Sequence, residues 1–361
     1  MTKNEIKVFK SLCAFKAKNF DADLEKYATP SVLGHLFFNR MQGIAYGILK
    51  EHGILGKVNR EFRNSLKGAY EQNVCKNESF LTCIQLVNQI LEHCTCPYAL
   101  LKGAYLCGYY PKGYRTSNDI DILTSPENVT EIGKLLAENG FKQGNIRNGE
   151  FVEATRKEII ESKMMRGETV PYIKEIGLPG MRFLEIDINF SLDFKNGDLV
   201  LLEKMLNNVC KKQAGEFEIQ TLSNDDFFIH LCGHLYKEAT TLPWVKMKRD
   251  MTLYKYSDIY LLLSEMHEDD VERLFCRATQ LGMEKICAFA IIQTNALYDT
   301  INSYADKTAK TILAGNENFL YEVFSPEGKK TLIYDEKDIN KLFFSDNRVK
   351  HLKEASDNEK T

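Results

Sequence analysis

Two stretches, "NDIDILT" (Asn118 to Thr124) and "RFLEIDINFSL" (Arg182 to Leu192), alternate acidic or polar residues with apolar ones at a period of two. That period belongs to strands. It puts Asp119 and Asp121 on one face of the first strand and Ile120 and Ile122 on the other. On the second it puts Glu185, Asp187 and Asn189 opposite Ile186, Ile188 and Phe190. Each strand buries its isoleucine face and turns its acids to a cleft or to solvent.

The sequence around these strands fixes the class of fold. "PYALLKG" reads as a short buried strand ending in glycine, and "AYLCGYY" as a short helix. Pro111 and Gly113 mark a loop. "PENVTEIGKLLAENG" is a helix, with Ser125 as candidate N-cap, Pro126 in the first turn and Gly140 at its end. Strand and helix therefore alternate between about 97 and 195, which predicts an α/β (α+β) core with a twisted mixed sheet. Up to about Cys94 the pattern is helical, in "SVLGHLFFNRMQGIAYGILKEHG", where Gly53 is a candidate C-cap, and in "FLTCIQLVNQILEHC". After about 200 it turns helical again. The expected organisation is a helical N-terminal region over 1–95, a core over 96–200, a helical C-terminal region over 201–350 and a charged, frayed tail over 351–361.

Composition bounds the function. The chain has 361 residues, 44% hydrophobic and 27% charged, with a net charge of −3. This is a globular composition, and it lacks the basic surplus that binds long nucleic acids. No run of 18 apolar residues suggests a membrane span, and the first residues lack an apolar segment of the kind that directs secretion. The ten cysteines are expected as reduced thiols in a cytoplasm. "HCTCP" (His93 to Pro97) opens like a metal site, but no second ligand pair follows at matching spacing. It reads as free thiols where a helix gives way to a strand.

Two carboxylates spaced about 7 Å apart along one strand face can reach one divalent ion or share two. Without a cation their repulsion would force one to protonate. If the "EIDIN" strand neighbours the "DID" strand, Asp187 completes a three-carboxylate cluster. Such a cluster can hold two metals, one activating a nucleophile and one steadying the departing oxygen. Gly103, lacking a side chain, lets a triphosphate approach its amide, and Lys102 supplies a positive charge. Arg115, just before the "DID" strand, is either a phosphate clamp or a surface arginine.

In "FFIHLCGHLYKEA", His230 and His234 share a helical face with Lys237 and Glu238 a turn further on. Leu231 stands where an HExxH protease needs its Glu. Either the histidines pack between helix and sheet, or His234 and Lys237 face the cleft and contact phosphate or base. "WVKMKRD" (Trp244 to Asp250) reads as solvated surface, Asp258 as a helix surface or packing residue, and Tyr109 and Tyr110 as core or cleft wall.

The ordered pattern of Lys-Gly at a strand end, Asp-x-Asp on the next strand and a lone Asp on a later one resembles the nucleotidyltransferase superfamily that includes DNA polymerase β. More narrowly, "LLKGAYL…YYPKGYRTSNDIDIL…ENGF…LEIDINFSL…DFFIHLCGHLYKEA" is similar to the bacterial group of uncharacterised nucleotidyltransferases, over about residues 30 to 270. The resemblance implies that Asp119 and Asp121 ligate both of two Mg²⁺ ions, with Mn²⁺ as a substitute. Asp187 would bind only the ion that activates the incoming hydroxyl, and Gly103 would lie against the triphosphate. It also turns at least one of the histidines toward the cleft. The superfamily's usual Gly-Ser is Lys-Gly here, as in the narrower group. The group's frequent Asp-Leu-His-Trp reads "DINF", with Asn189 and Phe190 in place of His and Trp.

The expected reaction moves a nucleoside monophosphate from an NTP to an unidentified acceptor, a small molecule, peptide or protein, with release of pyrophosphate. A catalytically silent nucleotide-binding or scaffold subunit is the alternative, and metal-dependent hydrolysis a third reading.

Overall fold

The computed structural model describes residues 1–192, 198–325 and 331–355. In chain order it opens with helices α1 (Lys3–Ser11), α2 (Leu24–Tyr27), α3 (Pro30–Phe38), α4 (Gln42–Glu51) and the 32-residue α5 (Arg60–Leu91). There follow β1 (Tyr98–Leu100), α6 (Gly103–Tyr109), β2 (Asp119–Thr124), α7 (Val129–Glu138), β3 (Lys142–Arg147), β4 (Glu150–Glu153), α8 (Arg156–Arg166), β5 (Tyr172–Leu178) and β6 (Met181–Asn189). Helix α9 (Leu199–Leu206), β7 (Val209–Ala214) and β8 (Phe217–Leu222) lead to α10 (Asn224–Thr240), α11 (Leu242–Lys246), α12 (Leu253–Leu263), α13 (Glu268–Gln280), α14 (Glu284–Leu297) and α15 (Ser303–Ile312). The described chain closes with β9 (Glu322–Phe324), β10 (Thr331–Tyr334), α16 (Ile339–Phe343) and β11 (Leu352–Glu354).

The chain divides into two compact units, one of Met1–Ser65 with Phe228–Thr361 and one of Leu66–Phe227. The unit over 66–227 is built on a six-stranded mixed sheet in the order β1-β2-β6-β5-β3-β4. Strands β2 and β6 run parallel, and their neighbours are antiparallel. Ile120, Ile122, Ile186 and Ile188 are fully buried, so the period-two isoleucines form the core face, as the pattern requires. Helix α7 is preceded by a single 3-10 turn at Pro126–Asn128, and Ser125 Oγ accepts from Asn128 Nδ2 instead of capping a backbone amide. Gly140 (φ +83°) ends that helix in the left-handed region.

Two hairpins depart from the expected pattern. The β3–β4 hairpin turns on Asn148-Gly149, both at positive φ, the type I′ geometry that Asn-Gly favours. The β7–β8 hairpin lies within the stretch after 200 that reads as helical. Its polar-rich strands carry no apolar run, and only "FEIQTL" alternates.

The other unit is largely helical, with α14 buried along most of its length. The long N-terminal helical run is interrupted between α3 and α4, where Arg40 takes φ +58°. Arg348, 6% exposed, forks onto both carboxylate oxygens of buried Asp250 at 2.7 and 2.5 Å, the bidentate geometry that suits a desolvated ion pair. Residues 352–354 of the expected frayed tail are a strand paired with β10; 356–361 lie outside the described residues.

Candidate active site

The parallel β2–β6 register sets Asp119 beside Glu185 and Asp121 beside Asp187. Because the isoleucines between them point into the core, all four carboxyls share the other face, in two rows on strands about 4.8 Å apart. Asn189 follows on the same face, 8% exposed like Asp121.

Strand β1 delivers the cation. Its register with β2 ends at Leu100 opposite Ile122, and the Leu101 amide donates to the Asp121 carbonyl at 2.9 Å. Lys102 then takes φ +43°, a strained value for a side-chain-bearing residue. That turn brings its Nζ to 3.1 Å from Asp121 Oδ1, and the same oxygen accepts from Asn189 Nδ2 at 3.3 Å.

Gly103, the first residue of α6, is buried. A Cβ there would lie 2.5 Å from Ser117 Oγ and 3.3 Å from Arg115 Nη1. The close approach that glycine permits is thus with the loop leading into β2. Ser117 Oγ also donates to Asp119 Oδ1 at 3.1 Å. Asn77, buried on α5, pins the same loop: its Oδ1 accepts from the Gly113 amide at 2.7 Å and its Nδ2 donates to the Arg115 carbonyl at 2.5 Å. Nothing in the local pattern around Ser117 or Asn77 marks them, because their roles come from tertiary placement.

The electrostatics are those of crowded acids. Burial, reinforced by the charges of Asp121, Asp119 and Glu168 and opposed by Lys102, pushes the Asp187 carboxyl up to about 8. Burial and the Asp119 charge also raise Glu185. Glu168 is a further acid that the sequence pattern missed. Its backbone pairs with Asn189 in an isolated antiparallel bridge, and "RGETVPY" has no strand period to reveal it. Asp119, Asp121 and Asp187 form an all-oxygen donor set whose mutual repulsion a hard divalent cation would relieve, so these residues fit such an ion.

The structure therefore brings together Lys102, Gly103, Arg115, Asp119, Asp121 and Asp187 within one unit. His234 and Lys237 belong to the other unit, on the part of α10 that follows Phe227. There His234 Nε2 lies 3.7 Å from Glu238 Oε2, and Glu238 is ion-paired with Lys255. His230 is buried, as is Asp258, a packing residue of α12, while Tyr110 is buried and Tyr109 exposed.

A mixed sheet whose parallel central pair carries facing acids, next to a Lys-Gly turn, defines the core of a nucleotidyltransferase-type protein. The chain belongs to the family described as Uncharacterised nucleotidyltransferase, whose model matches residues 31–299. No curated protein matches the chain. Among the described residues no helix is long and apolar enough to cross a membrane.

Proposed function

We propose that the protein transfers a nucleoside monophosphate from an NTP to an acceptor hydroxyl and releases pyrophosphate. The observation that carries this reading is the register of Asp121 with Asp187 on adjacent parallel strands, one step from Asp119. Asp119, Asp121 and Asp187 would hold two Mg²⁺ ions, or Mn²⁺ in their place. When bound, these ions neutralise triphosphate charge, lower the pKa of the attacking hydroxyl and stabilise the leaving oxygen.

The chain's own residues do the positioning. Lys102 and Asn189 orient the Asp121 carboxylate, and Ser117 orients that of Asp119. Arg115, on the loop packed against Gly103, is the candidate contact to the triphosphate. The acceptor oxygen bonds to the α-phosphorus as the bond to the bridging oxygen of the β-phosphate breaks. Little covalent chemistry is asked of the protein. His234 and Lys237 would contact phosphate or base. The acceptor would be a small molecule, a peptide or a protein, and ten free cysteines fit work in a reducing cytoplasm.

A second reading rests on one contact. Lys102 neutralises Asp121 directly, as would suit a silent subunit that binds nucleotide or a partner without turnover. Calorimetric titration with each NTP analogue in Mg²⁺, beside the Asp119→Asn/Asp121→Asn protein, tests the site. Metal-dependent binding lost in the double variant supports it, and equal binding by both proteins refutes it. Pyrophosphate release on screening acceptors then separates transferase from silent subunit, and free phosphate would indicate hydrolysis instead.

A further inference from the structure

Cys94 and Cys96 leave the end of α5 and precede β1, and their sulfurs lie 3.1 Å apart. Both are free thiols and half-buried. Glu131, in the first turn of α7, reaches the same place from 35 residues along the chain. Its Oε1 accepts from the Thr95 amide at 2.8 Å and from Thr95 Oγ1 at 2.9 Å, so the residue between the two cysteines fixes the carboxylate over them. One ligand atom from each of Cys94, Cys96 and Glu131 lies within 4.8 Å of the others.

We propose that Cys94, Cys96 and Glu131 form a zinc site with an open fourth position for water. Two thiolates and a carboxylate are a donor set that suits Zn²⁺ and does not suit Mg²⁺. Tetrahedral ligation needs the sulfurs about 3.8 Å apart, as follows from Zn–S bonds of about 2.3 Å. A small widening of the present pair supplies that. Binding one Zn²⁺ displaces the proton from each thiol, so two protons are released and no redox partner is needed.

The site is separate from the carboxylate face. Tyr98, just after Cys96 and Pro97, pairs with Thr124, at the far end of β2 from Asp119 and about 10 Å along the strand from Asp121. A metal there would tie the end of α5 to α7 across the start of β1, the strand whose other end carries Lys102. The second ligand pair that "HCTCP" lacks in sequence is supplied in part by a helix, at a spacing no motif describes.

The test is titration of the full-length, reduced, metal-free protein with Co²⁺ and then Zn²⁺. The expected result is one equivalent of Co²⁺ with a near-ultraviolet thiolate charge-transfer band that Zn²⁺ abolishes, and two protons released. Cys96→Ser should lose the band and bind Zn²⁺ at least a hundredfold more weakly. Glu131→Gln, which keeps an oxygen for Thr95, should retain the band and bind about tenfold more weakly. The Asp119→Asn/Asp121→Asn protein should bind like wild type, which separates this site from the proposed catalytic one. The proposal is overturned if wild type shows no band. It is equally overturned if Cys96→Ser and Glu131→Gln titrate like wild type, or if the reduced protein takes up no Zn²⁺ and air instead removes two hydrogens from the peptide holding both cysteines.

Discussion

Asn189 Nδ2 and Lys102 Nζ converge on one oxygen, Asp121 Oδ1, at 3.3 and 3.1 Å. One donor comes from the strand on each side of β2, so the carboxylate is held by both of its neighbours. Both donors favour the ionised form. The arrangement gives Asn189 a task at a position where relatives often carry histidine: it orients a proposed metal ligand.

Removing that amide tests the assignment. Asn189→Ala leaves a buried carboxylate short of one donor, at a cost of about 1–3 kcal/mol. The expected outcome is a transfer rate lowered about tenfold with the nucleotide Kd changed less, because Lys102 still neutralises Asp121. Asn189→His should restore part of the rate, having a ring N–H to donate. Denaturant unfolding and pyrophosphate release measure the two effects. Unchanged stability and rate in Asn189→Ala would leave the contact without consequence.

The three aspartates should separate stability from activity. Asp187→Asn removes a charge from a crowded, desolvated cluster, so the metal-free variant should be at least as stable as wild type near pH 8.5, where the native carboxyl is forced to ionise. Pyrophosphate release should fall by about a thousandfold or more, in line with losing a group that acts only in the transition state. A stable variant that retained full turnover would exclude Asp187 from the chemistry.

The pH dependence of stability follows from the same residue. Asp187 titrates at about 8 in the folded protein, against 3.8 for an exposed aspartate. Between these values the native state holds a proton that the unfolded chain has lost. Stability therefore falls as pH rises through that window, and it levels off above about 8. The metal-free protein should show this slope in denaturant unfolding between pH 5 and pH 8, and Asp187→Asn should flatten it. Mg²⁺ should flatten it too, by favouring the ionised form. Identical slopes for the variant and wild type would contradict the assignment.

The strands that matter most were the ones the sequence shows best. Period two in "DIDIL" and "LEIDIN" predicts both strands and both faces, because buried isoleucine and facing acid alternate without a break. The Lys-Gly turn is legible for a similar reason, since it ends an apolar run. Glu168 and Asn77 were not legible: each reaches the site from an element whose own pattern gives no hint of what it faces. The β3–β4 hairpin carried an Asn-Gly signal, but its strands are too polar for the apolar period to report them. The division of the chain was hidden as well. Residues before 66 and after 227 cluster together, and sequence order says nothing of which distant helices share a core.

Gly103 offers the most local test of how the loop and the turn depend on each other. Its backbone φ is not in the left-handed region, so alanine carries no conformational strain there. The difficulty is space, since the new methyl would meet Ser117 Oγ at 2.5 Å and Ser117 Cβ at 2.7 Å. Ser117 belongs to a loop held by Asn77, so it cannot simply swing away. Overpacking of this kind costs about 1–3 kcal/mol. Any displacement of Ser117 also removes its hydrogen bond to Asp119 and shifts Arg115. Gly103→Ala should therefore lower both stability and nucleotide affinity. Ser117→Gly alone should cost little stability while loosening Asp119. In the Gly103→Ala/Ser117→Gly double variant the methyl would occupy the space vacated by the serine, and stability should return to within about 0.5 kcal/mol of Ser117→Gly. A double-variant cycle on unfolding free energies reads this directly. Additive losses would mean that the methyl is resisted by Arg115 instead, and Gly103→Ala/Arg115→Ala would then be the variant that recovers.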